Sequence, residues 1–243
     1  MRRRVVIAAV VVLAINVAFI VGDRVWNTEQ VSGPAASSYV TTGDGTAAWH
    51  DLLEQAGHEV TRRRDPAAPL ESRSTLILLE PMPDRFDESI ARDITAFVEQ
   101  GGRLVAGGVL PDWLTSIIDG DLSWSPTPVG MTISTNQTPE THYVGTVAIN
   151  SIGAWDRLPD GSEPLLTDTE SKVVAAATNQ RRGRIILMAD VTAVMNSNIE
   201  SADNAAISLG IVGETGRPVV FDEYVHGYTD EEGLTALPDA WLW

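Results

Sequence analysis

Two short aliphatic runs, Thr75-Leu76-Ile77-Leu78-Leu79 and Leu104-Val105-Ala106, constrain the fold more than any other feature of the chain. An unbroken apolar run suits a strand covered on both faces, because both sets of alternating side chains must then be buried. Between the two runs, residues Asp87 to Gln100 carry Ile90, Ile94, Phe97 and Val98 at helical spacing, and Gly101-Gly102 supplies a stop. Strand, helix and strand in this order form a crossover unit that joins parallel neighbours in a sheet with helices on its faces.

The rest of the chain extends the same alternation. Ser38-Tyr39-Val40 reads as a short strand leading into Thr41-Thr42-Gly43-Asp44-Gly45. Thr46 to Ala56 reads as a helix closed by Gly57, and His58 to Arg62 as a second strand. Residues 124 to 166 are rich in Pro, Thr, Ser and Gly and read as an insertion of short strands and loops. Lys172 to Ala177 and Arg184 to Met188 flank Asn179-Gln180-Arg181-Arg182-Gly183 as a hairpin. Ser201 to Val212 completes the pattern as a helix, and Pro218 to Phe221 as a last strand. The fold class expected is α/β, a largely parallel sheet sandwiched by helices.

The termini differ in character. Val5 to Gly22 holds eighteen residues without a charge, with Arg2-Arg3-Arg4 ahead and Asp23 behind. This reads as one transmembrane helix with a cytoplasmic N-terminus, by its length and by the asymmetry of flanking charge. A cleavable signal peptide is the competing reading. It fits less well, because the apolar stretch is long and no small-x-small site follows it. The organisation expected is an anchor over 1–26, a linker over 27–37, an extracytoplasmic α/β domain over 38–228 and a tail over 229–243. The tail's Trp241-Leu242-Trp243 resembles the start of a second membrane segment.

Composition narrows the function. The formal net charge is −16, which repels phosphate backbones and excludes nucleic acid as a partner class. The chain has no cysteine, so disulfides, thiolate catalysis and cysteine-bound zinc are excluded.

Candidate chemistry gathers near the C-terminal end of the sequence. Asp190 follows the strand at 185–188, Asn196 and Asn204 precede or open the next helix, and Asp222, Glu223 and His226 follow the last strand. In open α/β sheets ligands bind outside the carboxyl ends of the strands. These six residues are therefore the expected ligand-binding set, provided the last two strands are neighbours. Asp222, Glu223 and His226 have side chains suited to a divalent metal or to acid–base work, yet Asp-Glu-x-x-His lacks the paired histidines of a zinc helix. Mutual hydrogen bonding that merely fixes loop ends is the plainer alternative. Gly43-Asp44-Gly45 reads as a glycine turn rather than an anion cradle. His50 and His58 read as surface or loop histidines, and Trp113, Trp124 and Trp155 as core packing rather than a carbohydrate platform. Asp203 or Ser201 reads as a helix cap.

Three stretches resemble a bacterial family, domain of unknown function 4350: Gly45 to Gly57; Phe97 to Val105; and Gly183 to Asp190 with Asn196, Asp203-Asn204-Ala205 and Phe221 to Gly227. The resemblance implies a fold similar to class I glutamine amidotransferases and an extracytoplasmic position between membrane helices. It also implies protein partners in a membrane complex with MoxR-type AAA ATPases and von Willebrand factor A-like proteins. Enzymes of that fold use a nucleophilic cysteine that this chain lacks, so the resemblance implies a binding role, with no catalytic residue and no cofactor. The function expected is a membrane-anchored, non-catalytic interaction or ligand-sensing domain. The alternative is a hydrolase, or a carbohydrate- or metal-binding protein using the Asp/Glu/His cluster.

Overall fold

Burial of the aliphatic runs organises the structure, a computed structural model that describes residues 30–230 apart from 110, 135 and 136. Strand β2 (Thr75–Leu79) is buried at every position. Its alternate residues serve two separate cores. Ile77 and Leu79 face a core shared with helix α1 (Ala47–Gln55) and helix α3 (Asn204–Ile211). Leu76 and Leu78 face a second core shared with helix α2 (Glu88–Glu99). Helix α2 starts where the sequence places it, because the Asp87 carboxylate accepts from the amides of Ser89 and Ile90 at 2.9 and 3.0 Å. It ends at Gly101, whose φ of 111° favours glycine.

The sheet has nine strands among the described residues: β1 (Val60–Arg63), β2, β3 (Arg103–Gly107), β4 (Ser123–Ser134), β5 (Thr146–Arg157), β6 (Glu163–Thr167), β7 (Val173–Gln180), β8 (Gly183–Met188) and β9 (Val219–Asp222). Their order is β1-β9-β2-β3-β8-β7-β5-β4-β6. The pairs from β1 to β8 are parallel, and every pair beyond is antiparallel. Strand β6 also pairs with β7, so β7, β5, β4 and β6 close on themselves.

This corrects the expected fold class. The sheet is mixed rather than largely parallel, and parallel pairing joins only five of its strands. The error lies in residues 123–167, whose Pro, Thr and Ser content suggests short strands and loops. Instead β4 and β5 are twelve-residue strands. Their register shifts between Pro126 and Val129 and again before Met131, as expected where prolines interrupt a ladder. Strands with one face in water carry alternating polar residues, and that weak signal is easily taken for a loop. Met131 and Ile133 stand half exposed on β4.

The expected transmembrane helix over 5–22 lies outside the described residues, as do the linker's start and most of the tail. Among the described residues no helix is long and apolar enough to cross a membrane. Ser38-Tyr39-Val40 is a turn rather than a strand, whereas the hairpin is observed with Gln180 facing Gly183.

Candidate functional site

Parallel strands end together, so β1, β9, β2, β3 and β8 deliver Arg63, Asp222, Leu79, Gly107 and Met188 to one edge. The expected set does not converge there as one site. Strands β8 and β9 are not neighbours, because β2 and β3 lie between them. Asp190 follows β8, whereas Asp222, Glu223 and His226 follow β9.

The β9 group is a buried network. Asp222 pairs with Arg63, its register partner on β1, at 2.6 Å. Both are buried, and Asp222 Oδ1 and Arg63 Nε have no hydrogen-bond partner. Burial pushes the Asp222 carboxyl up, and the Arg63 charge and hydrogen bond offset this only in part. The next residue is fully engaged. Glu223 Oε2 accepts from Ser37 Oγ at 2.7 Å, Oε1 accepts from the Ser38 amide at 2.6 Å, and Oε2 lies 3.1 Å from His226 Nδ1. His226 Nε2 lies 2.8 Å from the Leu79 carbonyl at the end of β2.

A carbonyl only accepts, so Nε2 must carry a proton, and an ionised Glu223 requires a second on Nδ1. The pair is thus an imidazolium and a carboxylate. Burial alone would raise the carboxyl and lower the imidazole, but their mutual hydrogen bond and attraction reverse both: Glu223 lies below its ordinary range and His226 above. The 3-10 turn Tyr224–His226, closed by Gly227 at φ 91°, brings the imidazole back over Glu223. Arg62 of β1 adds its guanidinium to Ser38 Oγ and the Ser38 carbonyl at 2.8 and 3.0 Å. The chain's own Ser37–Ser38 segment therefore lies on the carboxyl ends of β1 and β9.

The asparagines hold backbone. Asn196 Nδ2 donates to the carbonyls of Val40 and Thr42 at 2.8 and 2.7 Å, and Oδ1 accepts from the Ala48 amide at 2.8 Å. It thus satisfies an orphan amide in the first turn of α1 from 148 residues away. It also ties down the Gly43–Gly45 turn, where a Cβ on Gly45 would fall 2.0 Å from the Val40 carbonyl oxygen. Asn204 is fully buried. Its Nδ2 donates to the carbonyls of Ala148 and Asn198 at 2.8 and 2.9 Å, and its Oδ1 accepts from the Ala148 amide at 2.9 Å. Asp190 accepts from the Thr192 amide at 2.8 Å and from the Thr192 hydroxyl. Asp203, expected as a cap, instead accepts from the amides of Gly145 and Thr146, which hold its carboxyl below the usual range.

Of the two histidines expected at the surface or in loops, His58 lies in a loop and His50 in helix α1, and both are buried. His50 packs 5.7 Å from the Phe221 ring, and His58 Nδ1 meets the Arg217 carbonyl at 2.9 Å. His50, Asp51 and Glu54 bring ligand atoms within 4.8 Å of one another, but both carboxylates are exposed. Trp124 and Trp155 face each other across β4 and β5, and the Trp124 indole donates to the Ala189 carbonyl at 2.9 Å.

Sequence reasoning missed Glu80. It follows β2, has φ of 42°, and accepts from the Val109 amide at 2.8 Å. Burial raises its carboxyl above the ordinary range, Asp190 adds to that, and the Val109 hydrogen bond and His226 oppose it. A Glu-Pro pair after an apolar strand gives no hint of this, because the backbone conformation arises only when the strand is docked.

Comparison with solved structures finds partial likenesses at low identity. Cytoplasmic Protein STM1381 from Salmonella typhimurium LT2 superposes with a TM-score of 0.50 at 9% identity, over 69% of this chain and 86% of that one. Cytoplasmic Protein STM3548 from Salmonella typhimurium gives 0.47 at 13% identity, over 69% and 85%. The exo-beta-1,4-mannosidase Op5Man5 from Opitutaceae bacterium strain TAV5 gives 0.46 at 18% identity, over 66% of this chain but only 29% of that one. Among curated proteins none matches the sequence. The family Domain of unknown function (DUF4350) matches residues 38–212, which excludes the Phe221–Gly227 stretch but covers well over half of the sequence. The chain belongs to the DUF4350 family.

Proposed function

We propose that this chain is a non-catalytic interaction or ligand-sensing domain held at the outer face of the cytoplasmic membrane, working with protein partners. One observation carries the reading: Glu223 and His226 are buried and spend their hydrogen-bonding capacity on Ser37, Ser38 and Leu79. A catalytic acid or base needs a group free to meet substrate, and these side chains instead lock the chain's own backbone over the strand ends. The location is supported by the uncharged run at 5–22 with Arg2–Arg4 ahead of it. A complex with a MoxR-type ATPase is the partner class that the family resemblance implies.

The test is thermal unfolding of the full chain with divalent metals, nucleotides and cell-wall saccharides, beside His226→Ala. A ligand at a hundred times its dissociation constant stabilises a fold by about 2.7 kcal/mol. No shift is expected from these compounds, whereas a photoreactive residue at exposed Tyr143 or Val109 is expected to cross-link a discrete protein in intact membranes. A saturable thermal shift that His226→Ala abolishes would sink the proposal in favour of the alternative, a hydrolase or a carbohydrate- or metal-binding protein that uses the Asp/Glu/His cluster.

A further inference from the structure

The carboxyl edge is covered over β1 and β9, but over β2 and β3 it opens into a cleft of about 420 Å3 with Glu80, Phe86, Val109, Asp112 and Trp113 among its lining. The Phe86 and Trp113 rings meet edge to face, 5.1 Å apart at 60°. Among the described residues no lysine or arginine lines the cleft. Glu80 Oε1 is aimed by the Val109 amide, and among the described residues Oε2 has no hydrogen-bond partner. Glu80 is half-buried, and its lost hydration together with the nearby Asp190 charge raises its carboxyl more than the Val109 hydrogen bond and the His226 charge lower it.

We propose that this cleft receives a basic side chain of a protein partner, a lysine or arginine whose stem lies against Phe86 and Trp113 and whose head meets Glu80 and Asp112. The inference rests on the interaction reading above and deepens it. An incoming cation offsets the lost hydration that Val109 and His226 balance only in part, in a site already dry enough for the attraction to count. Aromatic faces add cation–π attraction and an apolar surface for the stem. The net charge of −16 draws basic partners from a distance. Because the Val109 amide fixes the carboxylate beforehand, little ordering remains to be done on binding.

The test labels the full chain with 5-fluorotryptophan and assigns the Trp113 resonance with Trp113→Phe. The chain is then titrated with Nα-acetyl-lysine methylamide, Nα-acetyl-arginine methylamide and, as a neutral isostere, Nα-acetyl-norleucine methylamide. The expected result is a saturable Trp113 shift with a basic amide, weakened at least tenfold by Glu80→Gln and absent with the norleucine compound. Asp112→Asn, at an exposed position, gives a second variant that leaves folding untouched and is expected to weaken binding less. Absence of a saturable shift, an equal response to norleucine, or unchanged affinity in both variants would overturn the inference. Cross-linking of a protein partner with no amide response would remove the cleft while leaving the interaction reading intact. An amide response without any cross-linked partner would sink the interaction reading and leave a cation site.

Discussion

Glu140 is the residue whose replacement tests the electrostatics most directly. Strands β3 and β8 pair Arg103 with Arg184, which places two like charges side by side on the sheet. Glu140 answers both. Its Oε1 accepts from Arg103 Nη1 at 3.1 Å and Arg184 Nε at 2.9 Å, and its Oε2 from Arg184 Nη2 at 3.2 Å. Its side chain is 1% exposed, against 15% and 21% for the arginines, so the acid is desolvated while its partners keep some water. Burial pushes the carboxyl up, but the hydrogen bonds of Arg184 and of Glu140's own amide, with both positive charges, bring it down from 4.5 to about 2. That displacement corresponds to about 3.4 kcal/mol; with the arginines partly hydrated, about 2 kcal/mol is expected for Glu140→Gln at pH 7. A lowered carboxyl stabilises the fold above its unfolded value near 4.5, and the contribution is lost as pH falls through about 2. By pH 3 less than half survives, so the cost of the substitution should shrink to about 0.8 kcal/mol. Urea unfolding of the wild type and Glu140→Gln at both pH values measures this, with Arg184→Met and the double variant completing a cycle. A cost equal at pH 7 and pH 3, or below about 0.5 kcal/mol at pH 7, would refute the reasoning.

Further consequences concern the other buried groups. The His226 ring should remain doubly protonated well above pH 6.5, visible as imidazolium nitrogen shifts in NMR. Its contribution is present below 6.5 and lost as pH rises through its raised value, whereas that of Glu223 is present above 4.5 and lost on acidification, so the pair stabilises most between the two. Glu223→Gln should cost about 3–5 kcal/mol in urea unfolding, because a buried cation loses its counter-charge. Asn204→Ala leaves an amide and two carbonyls of the backbone without their partner, and a loss of about 2–4 kcal/mol in the free energy of urea unfolding is expected. At Gly102 a Cβ would fall 2.4 Å from the Phe97 ring, so Gly102→Ala should destabilise by about 1–3 kcal/mol, and an unchanged melting temperature would show that the ring can move aside.

What the sequence determined by itself is the centre of the parallel half, β2, α2 and β3, together with the antiparallel β7–β8 hairpin beside it. Their signals are local, since an unbroken aliphatic run, an Asp87 cap and a Gly101-Gly102 stop act through neighbours within one turn or strand. The absence of cysteine and the acidic balance also hold without a structure. The antiparallel half escaped, because β4 and β5 are stabilised by cross-strand pairing and their Pro, Thr and Ser content resembles a loop until the partner strand is known. The candidate site divided in the same way. Asp222, Glu223 and His226 are visible as polar residues after a strand, but Glu223 is engaged by Ser37 and Ser38, 185 or more residues earlier, and Asp222 by Arg63, 159 residues earlier. Only the strand order separated Asp190 from them, and only docking of β2 beside β3 placed Glu80 in a cleft. Local propensity is written in adjacent residues; which strand lies beside which, and therefore which polar groups meet or stay open to solvent, is decided by the energy of the whole packed sheet.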